Sequence, residues 1–532
     1  MPYLGLFGKT SPDLPRAQKQ RLYLRRSVHI VVAALNFLHD CGRWAPGHLL
    51  WREPNAGHLA CYRRIRSFVV ACFSRKEEFP LPPGRSGPDL VARLLELESF
   101  AGSLGSLGSS CSADLLASHG PIPSVPPSAD LPQLQPFRSL DVSRLKLHGT
   151  GAWPIASFLE GPLWLPFQEP LILRHGLPLG TYDLPDLQTE DANEHLKLAL
   201  LWDARGLLRL VPPLPPEAAL IGDRRPANRA EMHPTGPSRL LPQGSLLTAY
   251  QLPRRRSQLV AYISDRRDFY HQLEVTAARA DCNRLPFGYE ASAFEGTRAL
   301  ATWTEERLSQ SRHTRAPARL VPAFASLLQG DHLGVEFALE GHSQLLSAYD
   351  ALEPWTRLQG NSVLPQGEDW QALVIDDLVN LSAVPLGSDP AAPSHARLMH
   401  HRAAIAYCEN QVQGSPDKDV EAATLFQAIG AEVDSQQPQV SRGCVPVGAP
   451  LGRRVALAVL SLRAARLPIT SARLLSRLTG AWISCAMYRR CLTCIFRKTF
   501  GPELCLAAAL SPMFATNLAV EQHEKVYATD AS

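Results

Sequence analysis

The stretch QALVIDDLVNLSAVP, residues 371–385, places two adjacent aspartates between two apolar runs. Short apolar runs are typical of buried strands. Adjacent acids have low strand propensity and cost free energy when they are buried without partners, so they favour a polar tip. The pattern therefore predicts a β-hairpin with Asp376 and Asp377 at its tip. Taken alone, the paired acids favour a polar turn that carries two solvated acids, and the strand context below changes that balance.

A second stretch, SQLVAYISDRRDFYHQLEV at residues 257–275, has an apolar strand at 259–263 that runs into a charged turn and a helix. Asp265 lies at the end of this strand, so two separate strands each present an acid. Three carboxylates from two strands suit a pair of divalent ions about 3.5–4 Å apart, and magnesium prefers oxygen ligands. The sequence therefore predicts two Mg²⁺ ions, with Mn²⁺ as an alternative, held by Asp265, Asp376 and Asp377.

The 532 residues are 45% hydrophobic, which allows roughly three or four domains. The formal net charge of +4 is too small to indicate nucleic-acid binding, and arginine clusters such as Arg266 with Arg267 are typical of solvated faces. The 11 cysteines have no regular spacing, which favours a reducing compartment. The longest apolar stretch, 28–38, is too short for a bilayer span of about 20 residues, and no signal-peptide pattern occurs. We therefore expect an intracellular protein without a membrane segment, in the cytoplasm or the nucleus.

The periodicity of apolar residues changes along the chain. It is helical in 20–73 and 448–500, whereas 102–136 is rich in Ser, Gly and Pro and is predicted to be a linker. Residues 207–231 are predicted to form two strands joined by a proline-rich turn, and residues 336–352 a helix. The expected fold class is α+β, with a mixed central section followed by a helical one.

Five short segments resemble the sequence motifs of reverse transcriptases, and they occur in that family's order between residues 207 and 434. Each motif is short, and their order makes the combination specific. In chain order they are the fingers pattern Asp223-Arg-Arg225-Pro-Ala-Asn228, the first palm motif Asp265-Arg-Arg-Asp268-Phe-Tyr270-His-Gln272, the Gln-Gly motif Leu328-Gln329-Gly330-Asp331, the paired-aspartate motif Val374-Ile-Asp376-Asp377 and the primer-gripping hairpin at 426–434.

The resemblance implies a right-hand polymerase fold of fingers, palm and thumb, and an RNA-directed DNA polymerase of a retroelement. Its implied partners are an RNA template, a DNA primer and deoxynucleoside triphosphates, and it implies no oligomeric state. The C-terminal segment Val526-Tyr-Ala-Thr-Asp530 resembles the first strand of a ribonuclease H domain. The expected divisions are a helical N-terminal region (1–100), a linker (101–145), fingers (146–262), palm (263–440), a helical thumb or connection (441–512), and a linker with the truncated ribonuclease H strand (513–532).

The resemblance also assigns roles to single residues beside the three aspartates. Tyr270 would be an aromatic gate whose ring excludes a 2′-hydroxyl, and Asp268 would help to close the pocket around the 3′-hydroxyl. Gln329 and Gly330 would contact the nucleotide, and Lys418 would lie near the triphosphate as a general acid. Ordinary alternatives exist: Tyr270 as a half-buried helix aromatic, Asp268 as a helix N-cap, and Lys418 as a solvated lysine.

Two positions depart from the family pattern. Val374 replaces the usual tyrosine of the paired-aspartate motif. Ala219 stands where the family has an arginine that binds triphosphate, and the turn at 211–216 has no lysine. Bidentate phosphate contacts require arginine or lysine in a defined geometry, so another cation must act here if nucleotide is bound. The candidate replacements are Arg209, Arg224 and Arg225.

The alternative function is a catalytically decayed, nucleic-acid-binding remnant of a retroelement polyprotein. The departures in the fingers favour it, and the intact aspartates oppose it. Under the polymerase hypothesis the basic C-terminal helices would form a thumb that tracks a phosphate backbone with strongly salt-dependent affinity. The basic residues of that section are Arg453, Arg454, Arg463, Arg466, Arg473, Arg489, Arg490, Arg497 and Lys498.

Overall fold

The computed structural model describes residues 140–173, 191–213, 231–252, 257–309, 319–464 and 472–495, most of 504–519, and the single residues Arg63 and Asn228. Several predictions fall outside the described residues. They concern nearly all of the N-terminal region, most of the linker, Ala219, Arg224 and Arg225, and the ribonuclease H-like strand at 526–530.

The described residues form helices and antiparallel sheets, which agrees with the α+β prediction. The α-helices are α1 (Trp164–Gln168), α2 (Ala192–Ala204), α3 (Phe269–Gln272), α4 (Ala277–Asp281), α5 (Arg298–Ser309), α6 (Gly334–Ala348), α7 (His395–Glu409), α8 (Gln437–Ser441), α9 (Leu451–Ala464) and α10 (Ala472–Ala486). The strands are β1 (Leu208–Val211), β2 (Ser257–Asp265), β3 (Tyr289–Glu290), β4 (Arg319–Phe324), β5 (Asp369–Val374), β6 (Asp377–Pro385), β7 (Val420–Ala423), β8 (Leu425–Ala428), β9 (Ala431–Asp434), β10 (Pro446–Gly448) and β11 (Ala515–Asn517).

The central sheet has the strand order β5-β6-β2-β7, and each neighbouring pair is antiparallel. Strand β2 is buried along nearly its whole length. Leu259 and Ile263 point into a core shared with the C-terminal helices, whereas Val260 and Tyr262 pack on the other face near Ala396 of α7. Because both faces are covered, the strand reads as a continuous apolar run rather than as an alternating one.

Helix α6 confirms the predicted helix, but its bounds differ from 336–352. It ends at Ala348 because Asp350 adopts a left-handed conformation with φ 51°, which stops helical hydrogen bonding. The N–H group of Ala351 then donates to the carbonyl of Leu346 at 2.8 Å. Most side chains of the helix are buried, and α6 contacts α7 and strand β5.

A smaller sheet has the order β1-β4-β3. Of the two strands predicted in 207–231, the first is present as β1. It pairs with β4, a segment more than a hundred residues away, along the register from Leu208–Phe324 to Val211–Val321. Most of the segment predicted to hold the second strand lies outside the described residues. Leu208 and Phe324 share a core with Trp202 of α2.

The hairpin predicted at 426–434 is present as β8 and β9, which pair from Leu425–Asp434 to Ala428–Ala431. Its two turn residues, Ile429 and Gly430, both have positive φ, at 54° and 75°. Such a two-residue turn matches the twist of the flanking strands. Strands β10 and β11 extend the hairpin to a four-stranded sheet.

The predicted helical section near the C-terminus contains α9 and α10. These helices contact each other, and Trp482 of α10 is fully buried against Phe514 at a ring distance of 4.9 Å. The division of the chain into fingers, palm and thumb stays a prediction. Among the described residues, no helix has both the length and the apolar character that a bilayer crossing requires.

Candidate active site

Strands β5 and β6 form the predicted hairpin, and its two turn residues are Ile375 and Asp376. Ile375 has φ 51°, in the left-handed region that hairpin turns of this length usually fill with glycine or asparagine. A β-branched side chain there is strained by about 1–3 kcal/mol and persists only where surrounding contacts hold it. Asp377 is the first residue of β6, so the paired acids occupy the tip as the sequence indicates.

Asp265, the last residue of β2, lies directly opposite Asp377 in the antiparallel register. Directly opposed residues project from the same face, and the two carboxyl groups hydrogen-bond to each other. Burial, followed by the charges of Asp376 and Asp265, raises the pKa of Asp377 to about 7. Burial is also the main cause that raises the pKa of Asp376, with a contribution from Asp265. The tip therefore brings together acids whose ionisation is disfavoured by burial and by their mutual repulsion.

Lys418 places a positive charge beside this cluster. Its Nζ lies 3.1 Å and 3.3 Å from the two carboxylate oxygens of Asp265. The hydrogen bond and the charge of Asp265 raise the pKa of Lys418, whose side chain stays 63% exposed. The predicted triphosphate lysine is thus beside the acids and remains protonated at neutral pH, although its role stays a prediction.

The three aspartates fit divalent ions in their chemistry. They offer only oxygen ligands, which Mg²⁺ prefers. A cation would favour the ionised form of Asp376 and Asp377, which burial and then the neighbouring acids disfavour. In the described part of the chain, however, no three acidic, histidine or cysteine side chains surround a common point as a preformed ligand set. Asp265 and Asp377 are directly opposed, and Asp376 lies in the adjoining turn.

Asp377→Asn is expected to stabilise the protein in EDTA at pH 8 and to change its stability little near pH 4. The folded-state pKa of about 7 exceeds the ordinary 3.8, so ionisation of Asp377 costs stability as the pH rises between these values. With allowance for solvent screening, the gain at pH 8 is about 2 kcal/mol. Urea unfolding at both pH values measures it, and an equal gain at the two pH values would contradict the assignment.

Tyr270 lies on the short helix α3 and is half-buried. Burial raises its pKa to about 12, with contributions from the charges of Asp376 and Asp331. A Cβ atom added to Gly334 would lie 3.2 Å from Cε1 of the Tyr270 ring, so the ring packs closely on the start of α6. The ring is therefore located between the acidic tip and the helix that follows the Gln-Gly motif.

Asp268 precedes α3 with a left-handed φ of 44°, and its carboxylate does not cap the helix. It accepts a hydrogen bond from the backbone N–H group of His148 at 3.1 Å instead. Asp268 therefore occupies the N-cap position, as the alternative interpretation expects, but its side chain makes no capping hydrogen bond. Its contact ties the first described segment to the palm motif.

Gln329 and Gly330 are exposed in the turn before α6, where Gly330 has φ 106°. Asn228 of the fingers pattern donates from its side-chain amide to the carbonyl of Gly330 at 2.8 Å. Its side-chain oxygen accepts from the backbone N–H group of His332 at 3.3 Å. The structure thus brings two of the five motifs into contact across a hundred residues of sequence.

The structure corrects the predicted environment of two arginines, Arg266 and Arg454. Arg266 is buried with its guanidinium carbon 3.9 Å from the centre of the Tyr407 ring, so it is not a solvated partner of the exposed Arg267. Arg454 is also buried and donates to the carbonyls of Ala449 and Ser511, so it holds the C-terminal fold together rather than tracking phosphates.

Arg209, a candidate replacement for the missing triphosphate arginine, is bound in an ion pair with Glu306 at 2.7 Å. It therefore already has a partner on α5. Sequence reasoning missed Asp419, whose carboxylate accepts the backbone N–H group of Asp265 at 2.9 Å. The only signal for Asp419 was its position next to Lys418.

Comparisons with known proteins give little beyond this geometry. No protein family matches the chain, and no curated protein does. Among the solved structures that it resembles is a foamy viral protease–reverse transcriptase in complex with double-stranded DNA, with 12% identity and a TM-score of 0.34 over 60% of this chain. The match spans 48% of that structure, about half of its length. A likeness this distant does not support a function. The proposed function depends on the sequence motifs and on the acidic tip.

Proposed function

We propose that this chain is an RNA-directed DNA polymerase of a retroelement, which extends a DNA primer along an RNA template. The observation that carries the proposal is the meeting of Asp265 and Asp377 as opposed residues on two strands, with Asp376 in the adjoining turn. The three acids belong to motifs that occur in the family's order. They lie at the end of β2 and at the β5–β6 turn, where the sequence predicts them.

The chemistry is nucleotidyl transfer, in which positioning and charge neutralisation lower the barrier. Two divalent ions, when bound, would activate the primer 3′-hydroxyl and neutralise the triphosphate. Asp265, Asp376 and Asp377 would hold them. Lys418, exposed and protonated beside the acids, is suited to donate a proton to the departing pyrophosphate.

The proposal is tested by primer extension. The purified chain is expected to extend a DNA primer on an RNA template with dNTPs and either Mg²⁺ or Mn²⁺, and to bind the duplex less tightly as salt rises. Extension on a matched DNA template measures how specific the template use is. A chain that binds the RNA–DNA duplex but extends it with neither metal is the decayed remnant.

The remnant is the second candidate because Arg209, one possible replacement for the absent triphosphate arginine, is engaged by Glu306. Glu306→Gln removes the acid that holds it. An increase in the apparent affinity for dNTP in this variant would show that Arg209 can serve the nucleotide when it is released. An unchanged affinity would leave the nucleotide-binding cation to other residues.

Tyr270→Val is expected to lower discrimination against ribonucleotides by about 10–100-fold, because a smaller side chain leaves room for the 2′-hydroxyl. Tyr270→Phe keeps the ring and is the matched control, with discrimination close to wild type. Single-nucleotide incorporation of dNTP and rNTP by the same enzyme measures the ratio. Equal ratios for the two variants would remove Tyr270 from the sugar pocket.

A further inference from the structure

The turn that carries Asp376 is hydrogen-bonded to a series of buried polar side chains on α6 and α7. His342 of α6 is fully buried, and its Nδ1 lies 2.7 Å from the carbonyl oxygen of Ile375. Its Nε2 lies 2.8 Å from the hydroxyl of Tyr407 on α7. A carbonyl can only accept, so Nδ1 carries the proton, and Nε2 of the neutral ring accepts from the tyrosine. Burial lowers the pKa of His342 to about 3, which agrees with a neutral ring.

The chain of contacts continues from Tyr407 to the other side of the acidic tip. The Tyr407 ring lies beneath the guanidinium of Arg266 at 3.9 Å. The backbone N–H group of Arg266 donates to the carbonyl oxygen of Asp376 at 3.1 Å. Both carbonyls of the two-residue turn are therefore held, one by His342 and one by Arg266.

Arg266 also contacts Asp419, the residue directly before β7. Its guanidinium is 3.6 Å from the carboxylate of Asp419, which accepts the backbone N–H group of Asp265. A Cβ atom on Gly414 would lie 2.9 Å from the Arg266 guanidinium, so this side chain has no room to move toward that segment. The contacts form one connected set from α6 through α7 to the ends of β2 and β6.

We propose that His342 is a positioning residue, which acts through Ile375 and, with Tyr407 and Arg266, fixes the direction of the Asp376 carboxylate. Ile375 is held in the left-handed region, and a peptide in such a turn can relieve its strain by rotating its carbonyl. The hydrogen bond from His342 opposes that rotation. Rotation of this peptide would re-aim Asp376, whose position must be held to within about 0.5 Å for metal-assisted chemistry. The proposal rests on the proposed polymerase function.

The first variant is His342→Leu, which removes both hydrogen bonds and keeps an apolar side chain. Extension is expected to fall about 10–100-fold in kcat, with KM for dNTP changed less than about threefold, because the chemical step depends on placement of the acids. Amide hydrogen exchange in the peptide covering 372–380 is expected to accelerate more than about tenfold. This second measurement needs no polymerase activity and reports on the turn directly.

Two further variants keep the test decisive if His342→Leu folds poorly. Tyr407→Phe removes only the hydroxyl and leaves the ring beneath Arg266, with an expected loss in kcat of about 3–10-fold. His342→Asn keeps an amide donor in reach of the Ile375 carbonyl and is expected to recover most of the activity lost in His342→Leu. Leu345→Ala, a truncation of another fully buried residue of α6, controls for a general loss of packing.

The readouts separate the two proposals. Faster exchange at the turn together with a lower kcat in His342→Leu, and neither in Leu345→Ala, supports the positioning role. Unchanged exchange at 372–380 in both His342→Leu and Tyr407→Phe overturns it, whatever the activity. A wild-type chain that never extends primers defeats the polymerase function, and with it the catalytic purpose of the network.

Discussion

Asp376→Asn is expected to reduce primer extension by about 10³-fold or more, because it removes a charged oxygen ligand from the acidic tip. Asparagine keeps the size of the side chain, so the turn and the pairing of β5 with β6 should persist. Binding of the RNA–DNA duplex is expected to stay within about twofold of wild type, since phosphate contacts made elsewhere dominate that affinity. Quenched-flow extension and fluorescence anisotropy measure the two quantities on the same preparation.

Asp369→Asn is the matched control on the same hairpin. Asp369 lies at the far end of β5 and accepts a hydrogen bond from the hydroxyl of Ser382, a bond that asparagine can still accept. Extension by this variant is expected to equal that of wild type. If Asp376→Asn also extends at the wild-type rate, the acidic tip is not the catalytic centre.

Arg279→Met is expected to destabilise the protein by about 3–5 kcal/mol, because it removes the arginine that pairs with the buried carboxylate of Asp331. Nη1 of Arg279 lies 2.8 Å from Asp331, and both side chains are 2% exposed. The remaining donors of Arg279 bind the carbonyls of Pro166 and Phe167 on α1. The ion pair therefore joins α1 to the residue that follows Gly330.

A second replacement identifies the cause. Arg279→Met with Asp331→Leu buries no unpaired charge, and is expected to regain part of the lost stability, because a hydrophobic pair can replace a buried ion pair. Lys197→Met breaks the exposed pair with Glu194 and is expected to have a much smaller effect than Arg279→Met. Urea unfolding of all three measures this. Similar losses for Arg279→Met and Lys197→Met would contradict the special cost of the buried pair.

The sequence predicts the acidic tip well because local pattern determines it. An apolar run before Asp265 and apolar runs around Asp376 and Asp377 require strands that end in polar positions, and β2, β5 and β6 have these ends. The hairpin of β8 and β9 is predicted from the family resemblance, and its turn contains Gly430 between two short strands. Local pattern also located helix α6, although not its bounds.

The sequence could not predict which charged residues are buried. Arg266 and Arg267 are neighbours of the same type, yet only Arg266 packs on Tyr407, a residue that is distant in sequence. His342 gives no local signal either, because its partners are a carbonyl in one segment and a hydroxyl in another. Burial of a polar group depends on partners that tertiary structure supplies, and a single sequence does not display them.

The pairing of Asp265 with Asp377 also bears on how the chain folds. Side chains alternate between the two faces of a strand, so a slip of β2 by one residue would turn Asp265 to the opposite face and separate the two acids. A slipped chain would keep many backbone hydrogen bonds and still lack the site. The register of this one strand pair therefore decides whether the two acids meet at all.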